Sequence, residues 1–326
     1  MVEQTKKNKP QAEHISAEPD FAQDDNSAQP PVGEKTALVT IIGRPSAGKS
    51  TFLNTASGEE ISIVSSYPQT TRNAIKGIVN TSLGQLVFVD TPGYHDSEKK
   101  MNLRMRSIVT DQLENADCIL YVIDSTRPCG EEETSITTLL KNHTQKLVVA
   151  INKIDDRHAK VAQAQAFVQT ELPDLDAKKI IQMSAKDDTG INEVLKALYD
   201  LAPIAPHLYS EEFYTDQEVD FRIAEVIREQ AMNRLSQEIP HAIYVQIADM
   251  EMKKQNEMWV RAFLCVERES QKGIVIGKGA NLIKTIRVES IKKLRKIFPY
   301  RIDLDLQVKV DKNWRQKDSR LDKLIR

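Results

Sequence analysis

A continuous apolar run, ALVTII at residues 37–42, leads directly into the octapeptide GRPSAGKS at residues 43–50. The pattern G-x-x-x-x-G-K-[ST] between a strand and a helix is typical of a loop whose backbone N–H groups surround phosphate oxygens. The glycines allow the close approach, and the start of the helix adds the positive end of its dipole. This segment therefore predicts a strand, a phosphate-binding loop and a helix, in that order.

Two side chains of the octapeptide are predicted to act directly on a bound nucleotide. Lys49 is placed to reach the β- and γ-phosphates, and Ser50 is placed to ligate Mg²⁺. The residues predicted to contact the nucleotide here are Gly43, Arg44, Pro45, Ser46, Ala47, Gly48, Lys49, Ser50 and Thr51.

The stretch after this loop alternates short apolar runs with segments of helical pattern. The later apolar runs are LVFVD, CILYVID, KLVVAIN and KIIQMS. Continuous apolar strands that alternate with helices are typical of a mostly parallel sheet with helices on both faces. We therefore predict an α/β domain at residues 36–203. The polar, proline-containing residues 1–35 before it are predicted to form a disordered tail.

A different pattern follows a predicted linker at residues 204–220. Its order is helix, strand, strand, helical turn, helix and strand, which is typical of an α+β layer. The last strand, RIDLDLQVKV at 301–310, alternates apolar and polar residues and so has one solvated face. We predict a second domain at 221–311 and a basic C-terminal tail at 312–326.

Two segments between the first strands supply further candidate ligands for the metal and the phosphates. Asp90 ends the run LVFVD, and a carboxylate at the end of a strand lies beside the phosphate site, where Mg²⁺ needs oxygen ligands. In QTTR at 69–72, a Thr hydroxyl can reach the same ion, and the place before Arg72 favours Thr71. The predicted metal ligands are thus Ser50, Thr71 and Asp90. The predicted catalytic residues are Lys49, Thr71 and Gly93. Thr91 and Pro92 are further predicted contacts to the nucleotide.

Two later strand ends select the base. NKID at 152–155 places Asp155 edge-on to guanine, where its carboxylate accepts from N1–H and the exocyclic amine. Adenine lacks that pair of donors, so it would leave the carboxylate unpaired. In SAK at 184–186, the backbone N–H of Ala185 can donate to guanine O6. The predicted base contacts are Asn152, Lys153, Asp155, Ser184, Ala185 and Lys186, and they argue for GTP over ATP.

Composition limits the remaining possibilities. Three scattered cysteines and the absence of a long apolar run predict a reduced, cytoplasmic protein without a membrane span. Residues 271–326 carry 16 Lys and Arg against 6 Asp and Glu, whereas the rest of the chain carries 29 bases against 41 acids. A basic end on an acidic body indicates a polyanionic partner, although a solvated lysine-rich helix face gives the same count.

With these motifs in order, the sequence resembles the Era family of ribosome-assembly GTPases, within the TrmE-Era-like superfamily. The resemblance spans about residues 36–315 and includes QTTR, DTPG, NKID, SAK, the linker segment TDQEVDFRIAEVIREQ, IVIGKGANLIKTI and VKVDKNWR. It implies a GTPase domain joined to a type II KH domain that binds the 3′ end region of 16S rRNA during maturation of the 30S subunit. It also implies peripheral association with the cytoplasmic membrane. Nothing in the sequence demands a dimer, so a monomer is expected.

The sequence departs from the family pattern within the GTPase domain. Ser46 stands where the family usually carries Asn, which in the superfamily helps to hold K⁺ beside the phosphates, and this argues against K⁺-dependent hydrolysis. Tyr94 stands where Ras-like enzymes place a water-orienting Gln, so intrinsic hydrolysis is expected to be slow. Arg72 and His95 are weaker catalytic candidates.

The predicted RNA loop of the KH domain also departs from the family. The motif G-x-x-G, whose backbone clamps a nucleic-acid strand, ends in Ala280. If this position needs a positive φ, alanine is strained by about 1 kcal/mol or more, whereas at a negative φ it fits. Arg287 replaces a common Gly. The predicted RNA-binding residues are Gly277, Lys278, Gly279, Ala280, Lys284 and Arg287.

Other functions stay open from the sequence alone. One is a GTPase that acts on another RNA such as tRNA, which in relatives of this domain needs a different C-terminal partner domain. Another is a GTPase whose RNA site has decayed, and a third is a nucleotide-binding scaffold that no longer hydrolyses GTP.

Overall fold

The computed structural model describes residues 34–65, 67–94, 100–254 and 256–325. The predicted disordered tail, except for Glu34 and Lys35, lies outside these residues, as does the candidate His95.

The first domain is a six-stranded sheet with helices on both faces, in the order β2-β3-β1-β4-β5-β6. All neighbouring strands are parallel except β2, which pairs antiparallel with β3. The predicted α/β fold is confirmed, although β2 was not expected from the sequence. The strands are β1 (Lys35–Ile42), β2 (Ile75–Thr81), β3 (Gly84–Asp90), β4 (Cys118–Asp124), β5 (Leu147–Asn152) and β6 (Ile180–Gln182), and the helices are α1 (Lys49–Ser57), α2 (Lys100–Asn115), α3 (Glu131–Leu140), α4 (Val161–Glu171) and α5 (Ile191–Leu201).

The central strands position the site because they are buried on both faces. Every residue of β3, β4 and β5 is buried, as their continuous apolar sequences require. Their polar residues are therefore confined to the strand ends, and parallel strands bring their carboxyl ends to one edge of the sheet. Asp90, Asp124 and Asn152 each end one of these strands at that edge.

The second domain is a three-stranded sheet, β7-β8-β9, with β7 antiparallel and β9 parallel to β8. Ile286 and Leu294 of one helix pack with Ile223 and Ile227 of another in the same core. The predicted α+β order is confirmed. The elements are α6 (Val219–Met232), α7 (Ile239–Ala242), β7 (Tyr244–Lys254), β8 (Glu257–Val266), α8 (Glu269–Ile276), α9 (Asn281–Ile297) and β9 (Arg301–Val310).

The linker between the domains is bound along the outer edge of the first sheet. Tyr214 accepts a backbone hydrogen bond from Ile78 of β2 at 2.9 Å. The side-chain oxygen of Gln85 accepts from the backbone N–H groups of Leu208 and Tyr209 at 2.8 and 3.0 Å. These bonds satisfy buried polar groups and give the linker a fixed path.

The segment predicted as a basic tail, residues 312–326, is instead folded over residues 312–325. Trp314 is fully buried, and its indole N–H donates to the carbonyl of Ala242 at 2.9 Å. A last helix, α10 (Asp318–Leu324), follows it, and Leu321 packs with Met105 of α2 in the same cluster. Burial of this tryptophan and leucine outweighs the charged composition that suggested a tail.

None of the helices in the described part of the chain is long and apolar enough to cross a membrane.

We expect Trp314→Ala to lower the free energy of unfolding by about 3–5 kcal/mol, because it removes a large buried side chain and leaves a cavity. Trp314→Phe should cost less, since most of the apolar contact remains and only the bond to Ala242 is lost. Urea unfolding measures both, with Lys312→Ala at an exposed neighbouring position as the control. An unchanged unfolding curve for the Ala variant would contradict the packing described for this segment.

Candidate nucleotide site and RNA loop

The octapeptide loop joins β1 to α1, and its glycines are required by crowding. A Cβ atom at Gly43 would collide with the carbonyl of Val122, and one at Gly48 would collide with the side chain of Asn152. Gly48 also has a φ of 101°, which L side chains rarely adopt. The loop is therefore held tightly between the end of β4 and the base-recognition loop.

Lys49 lies inside this loop and is only 6% exposed. Its ammonium donates to the carbonyls of Gly43 and Arg44 at 3.0 and 3.2 Å. Burial lowers the pKa of Lys49 to about 8, although the charge of Asp90 opposes the shift. The lysine is thus a buried cation at the place where phosphate oxygens are expected.

The three predicted metal ligands converge on one point. The Ser50 hydroxyl lies 2.6 Å from a carboxylate oxygen of Asp90 and 3.0 Å from the hydroxyl of Thr71, which is itself 3.4 Å from the same carboxylate. The second Asp90 oxygen is buried with no hydrogen-bond partner among the described residues. Burial raises the pKa of Asp90, while Lys49 and the neighbouring hydroxyls lower it in part. One carboxylate and two hydroxyls form an all-oxygen set that fits Mg²⁺.

The base-recognition residues form a connected network at the ends of β5 and β6. Asn152 donates to the carbonyl of Ala47 at 2.8 Å and accepts from the Ala185 N–H at 2.9 Å. The Ser184 hydroxyl donates to Asp155 at 2.6 Å and so fixes that carboxylate. Lys186 is exposed beside them. Asp155 is thus oriented before any base is bound, as discrimination between guanine and adenine requires.

The segment after β3 lies against the phosphate loop. A Cβ atom at Gly93 would stand 2.7 Å from the backbone of Pro45, so the two chain segments are in direct contact. Thr91 donates to the carbonyl of Ile41 at 2.7 Å, and the Tyr94 N–H donates to that of Gly43 at 3.1 Å. The Tyr94 ring is buried in the core, so it cannot orient a water molecule.

A cavity of about 290 Å³ runs between these segments, and most of the predicted phosphate contacts line it. Arg44 is an exception, because its guanidinium turns away and pairs with Glu133 at 2.9 Å behind the loop. Only its backbone is available to the nucleotide. The loop residues around the cavity are Pro45, Ser46, Gly48, Lys49, Ser50, Thr51, Thr71, Gly93 and Lys153.

Two residues near this site, Asp124 and Arg127, were not predicted from the sequence. Asp124, at the end of β4, accepts from Lys153 at 2.8 Å and from Arg127 at 3.2 Å. A carboxylate at the end of an apolar strand was the signal for Asp90, and the same signal in CILYVID was available for Asp124.

The predicted RNA loop connects α8 to α9. Gly277 and Gly279 have φ of 75° and 61°, and Ala280 has a φ of 60° with a ψ of 23°. Alanine is therefore in the left-handed region that glycine prefers, which costs about 1 kcal/mol. Lys284 is exposed, as its predicted role requires. Arg287 instead donates to the carbonyl of Leu304 and pairs with Asp303 at 3.4 Å, so its charge is partly committed to β9.

The segment that carries Thr71 is bonded directly to the second domain. Arg72, 6% exposed, donates to the carbonyls of Ile243 and His241 at 2.8 and 3.3 Å. Its guanidinium also lies 5.5 Å from the centre of the Trp314 ring. A residue that was a weak catalytic candidate is in this structure an interdomain contact.

The same segment has further bonds to α6 and to the turn after it. The Thr70 carbonyl accepts from Arg228, and the Tyr67 hydroxyl donates to the carbonyl of Leu235 at 2.8 Å. The backbone N–H of Val64 donates to Glu229 at 3.1 Å. The residues around Thr71 therefore cannot move without changing the contacts of the second domain.

The fold and this site define a P-loop GTP-binding protein joined to a KH domain. Residues 38–153 match the 50S ribosome-binding GTPase family, and residues 238–315 match the KH domain family. GTPase Era of Treponema denticola is 56% identical over 290 residues, covering 89% of this chain and 99% of that protein, and GTPase Era of Treponema pallidum is 44% identical over 310 residues, covering 89% and 97%. The chain belongs to the GTPase Era family.

Two solved structures of Era extend this similarity to the whole fold. Era in complex with MgGDPNP and nucleotides 1506–1542 of 16S ribosomal RNA has a TM-score of 0.84 at 30% identity and covers 89% of this chain and 98% of that one. A single-residue variant of Aquifex aeolicus Era bound to GDP·AlF4⁻ has the same TM-score of 0.84 and 30% identity, with coverage of 88% and 98%. The resemblance inferred from the motifs is confirmed.

We expect GDP affinity to fall about tenfold between pH 7 and pH 9, because Lys49 must be charged to bind phosphate and its pKa in the free protein is about 8. Phosphate binding raises that pKa, so the loss begins as the pH rises through the value of the free protein. Calorimetric titration at several pH values measures the effect. GMP, which lacks the β- and γ-phosphates, controls for ionisation of the guanine, and an equal loss for GMP and GDP would contradict a role of Lys49.

Proposed function

We propose that this protein is a GTP-hydrolysing switch that binds the 3′ end region of 16S rRNA and assists maturation of the 30S ribosomal subunit. The observation that carries the proposal is the bonding of Arg72, the residue after the metal ligand Thr71, to the KH domain. The similar Era structure that contains MgGDPNP and 16S rRNA supports the same ligands for this chain. No feature of the described residues favours a tRNA substrate.

The nucleotide is held by groups that the structure brings together. Lys49 and the backbone of the octapeptide bind the phosphates, and the Gly93 N–H donates to the γ-phosphate. Ser50, Thr71 and Asp90 would hold Mg²⁺, which supplies neutralisation of charge on the phosphate oxygens. Because no side chain among residues 90–94 orients a water molecule, intrinsic hydrolysis is slow and serves as a timer.

The switch operates through one segment. With GTP bound, Thr71 is fixed at the metal and Arg72 is fixed at His241 and Ile243 of the KH domain. Loss of the γ-phosphate releases Thr71, as in other GTPase switch regions, and the adjacent contacts of Arg72 lose their anchor. The KH domain then changes its orientation or its freedom to bind RNA.

The proposal places the protein in the cytoplasm as a monomer, with peripheral association to the membrane. The family resemblance supports the membrane association. The predicted RNA contacts are the 277–280 loop and Lys284. Arg287 contributes less, because its guanidinium is already paired with Asp303.

We expect an oligonucleotide of the 16S rRNA 3′ tail to bind at least about tenfold more tightly in GDPNP than in GDP, a typical coupling between two sites. Arg72→Ala should reduce this ratio toward one, because it removes the direct bonds to the KH domain. Arg72→Lys should restore it only in part, since an ammonium cannot reproduce the planar fork of donors. Fluorescence anisotropy measures the affinities.

Arg157→Ala, at an exposed position outside the interface, is the control for this experiment. Equal affinity in both nucleotide states of the wild-type protein would contradict the switch. Absence of binding in either state would mean that the loop with Ala280 recognises another RNA or none.

We expect GTP hydrolysis to proceed at the same rate, within about twofold, in K⁺ and in Na⁺ at equal ionic strength, because the Ser46 side chain is too short to hold the ion. Ser46→Asn should introduce a preference for K⁺. Ser46 has a φ of 63°, which Asn tolerates, so the variant is expected to fold. Phosphate release under single-turnover conditions measures both, and strong K⁺ stimulation of the wild-type protein would contradict this expectation.

A further inference from the structure

The turn between β4 and α3 binds both the phosphate loop and the base-recognition loop. Asp124 is only 1% exposed and accepts hydrogen bonds from Lys153, Arg127 and Thr126. Burial alone would raise its pKa, but the bonds from Lys153 and Thr126 outweigh burial and lower the pKa of Asp124. One buried carboxylate therefore holds two cations, Lys153 at the nucleotide cavity and Arg127 at a neighbouring cleft.

Arg127 extends from this carboxylate to the phosphate loop. Its Nε donates to Asp124 at 3.2 Å, and one terminal nitrogen donates to the carbonyl of Pro45 at 2.8 Å. The side chain is 44% exposed and lines a cleft of about 1030 Å³ between the two domains. Pro45 and Gln69 line both this cleft and the nucleotide cavity, so the cleft that Arg127 lines adjoins that cavity.

The bond to Pro45 matters because of what Pro45 touches. The backbone of Pro45 is packed closely against Gly93. A Cβ atom added to Gly93 would lie 2.7 Å from both the nitrogen and the Cα of Pro45. The place of Pro45 therefore determines how near the Gly93 N–H can come to the γ-phosphate. Small displacements at a reacting centre have large effects on rate.

We propose that Asp124 and Arg127 are positioning residues for GTP hydrolysis. Asp124 binds both Lys153 and Arg127, and Arg127 holds Pro45 against Gly93. One carboxylate therefore fixes the position of the Gly93 contact to the γ-phosphate and the position of the base-recognition loop. Arg127 acts on the reaction through Pro45 and Gly93 and not through recognition of the guanine base. The inference rests on the hydrolytic activity in the proposed function and names residues that set its rate.

The test compares Arg127→Ala, Arg127→Lys and Asp124→Asn in the full chain, with Arg157→Ala as a matched control on an exposed arginine. We expect Arg127→Ala to slow single-turnover hydrolysis about tenfold while the Kd values for GDP and GDPNP change less than about threefold, the signature of an interaction that acts on the reaction step. Arg127→Lys should recover part of the rate, because lysine can still donate to Pro45.

Asp124→Asn should slow hydrolysis and also weaken GDP binding about threefold or more, since Lys153 loses its charged partner at the same time. A thermal unfolding curve for each variant separates these effects from a general loss of structure.

An Arg127→Ala variant that hydrolyses GTP at the wild-type rate would overturn the proposal. Equal losses in nucleotide affinity and hydrolysis rate would also overturn it. Such a result would mean that Arg127 only stabilises the phosphate loop for binding and has no separate effect on the reaction step. If the wild-type protein itself fails to hydrolyse GTP, the proposed function fails instead, so the two failures are distinguishable.

Discussion

The buried pair Lys49 and Asp90 is the interaction on which the rest of the site depends. Burial lowers the pKa of the lysine and raises that of the aspartate, so each group is disfavoured in its charged form. The protein alone compensates them incompletely, since one Asp90 oxygen has no hydrogen-bond partner among the described residues. Phosphates and a metal ion supply the missing partners of both charges. The free energy gained when these buried charges are paired is available as binding energy.

In the proposed switch, that binding energy reaches the KH domain because two adjacent residues face different partners. Thr71 is directed to Ser50 and Asp90, and Arg72 is directed to carbonyls of the second domain. Neighbouring residues in an extended chain point in opposite directions, so one short segment can contact both. The loop of residues 277–280 lies elsewhere in the KH domain, between α8 and α9, and α9 packs with α6 in the same core.

The local motifs of the nucleotide site and the order of elements could be predicted from the sequence, because each motif needs particular residues at a fixed spacing after a strand. The parts that were missed depend on distant contacts. Strand β2, IKGIVNT, is short and interrupted by Gly77, and it exists because it pairs with β3. The folded C-terminal segment was hidden by its charges, and Arg72 has no local signal that it binds the KH domain.

The position of α10 has a consequence for how the molecule is made. It packs with α2, the first helix after Gly93, yet Lys100 and its ion-pair partner Asp318 are 218 residues apart in the sequence. During synthesis the nucleotide site is complete long before this contact can form. In the nascent chain, helix α2 therefore has no contact with α10 until this final helix has been made.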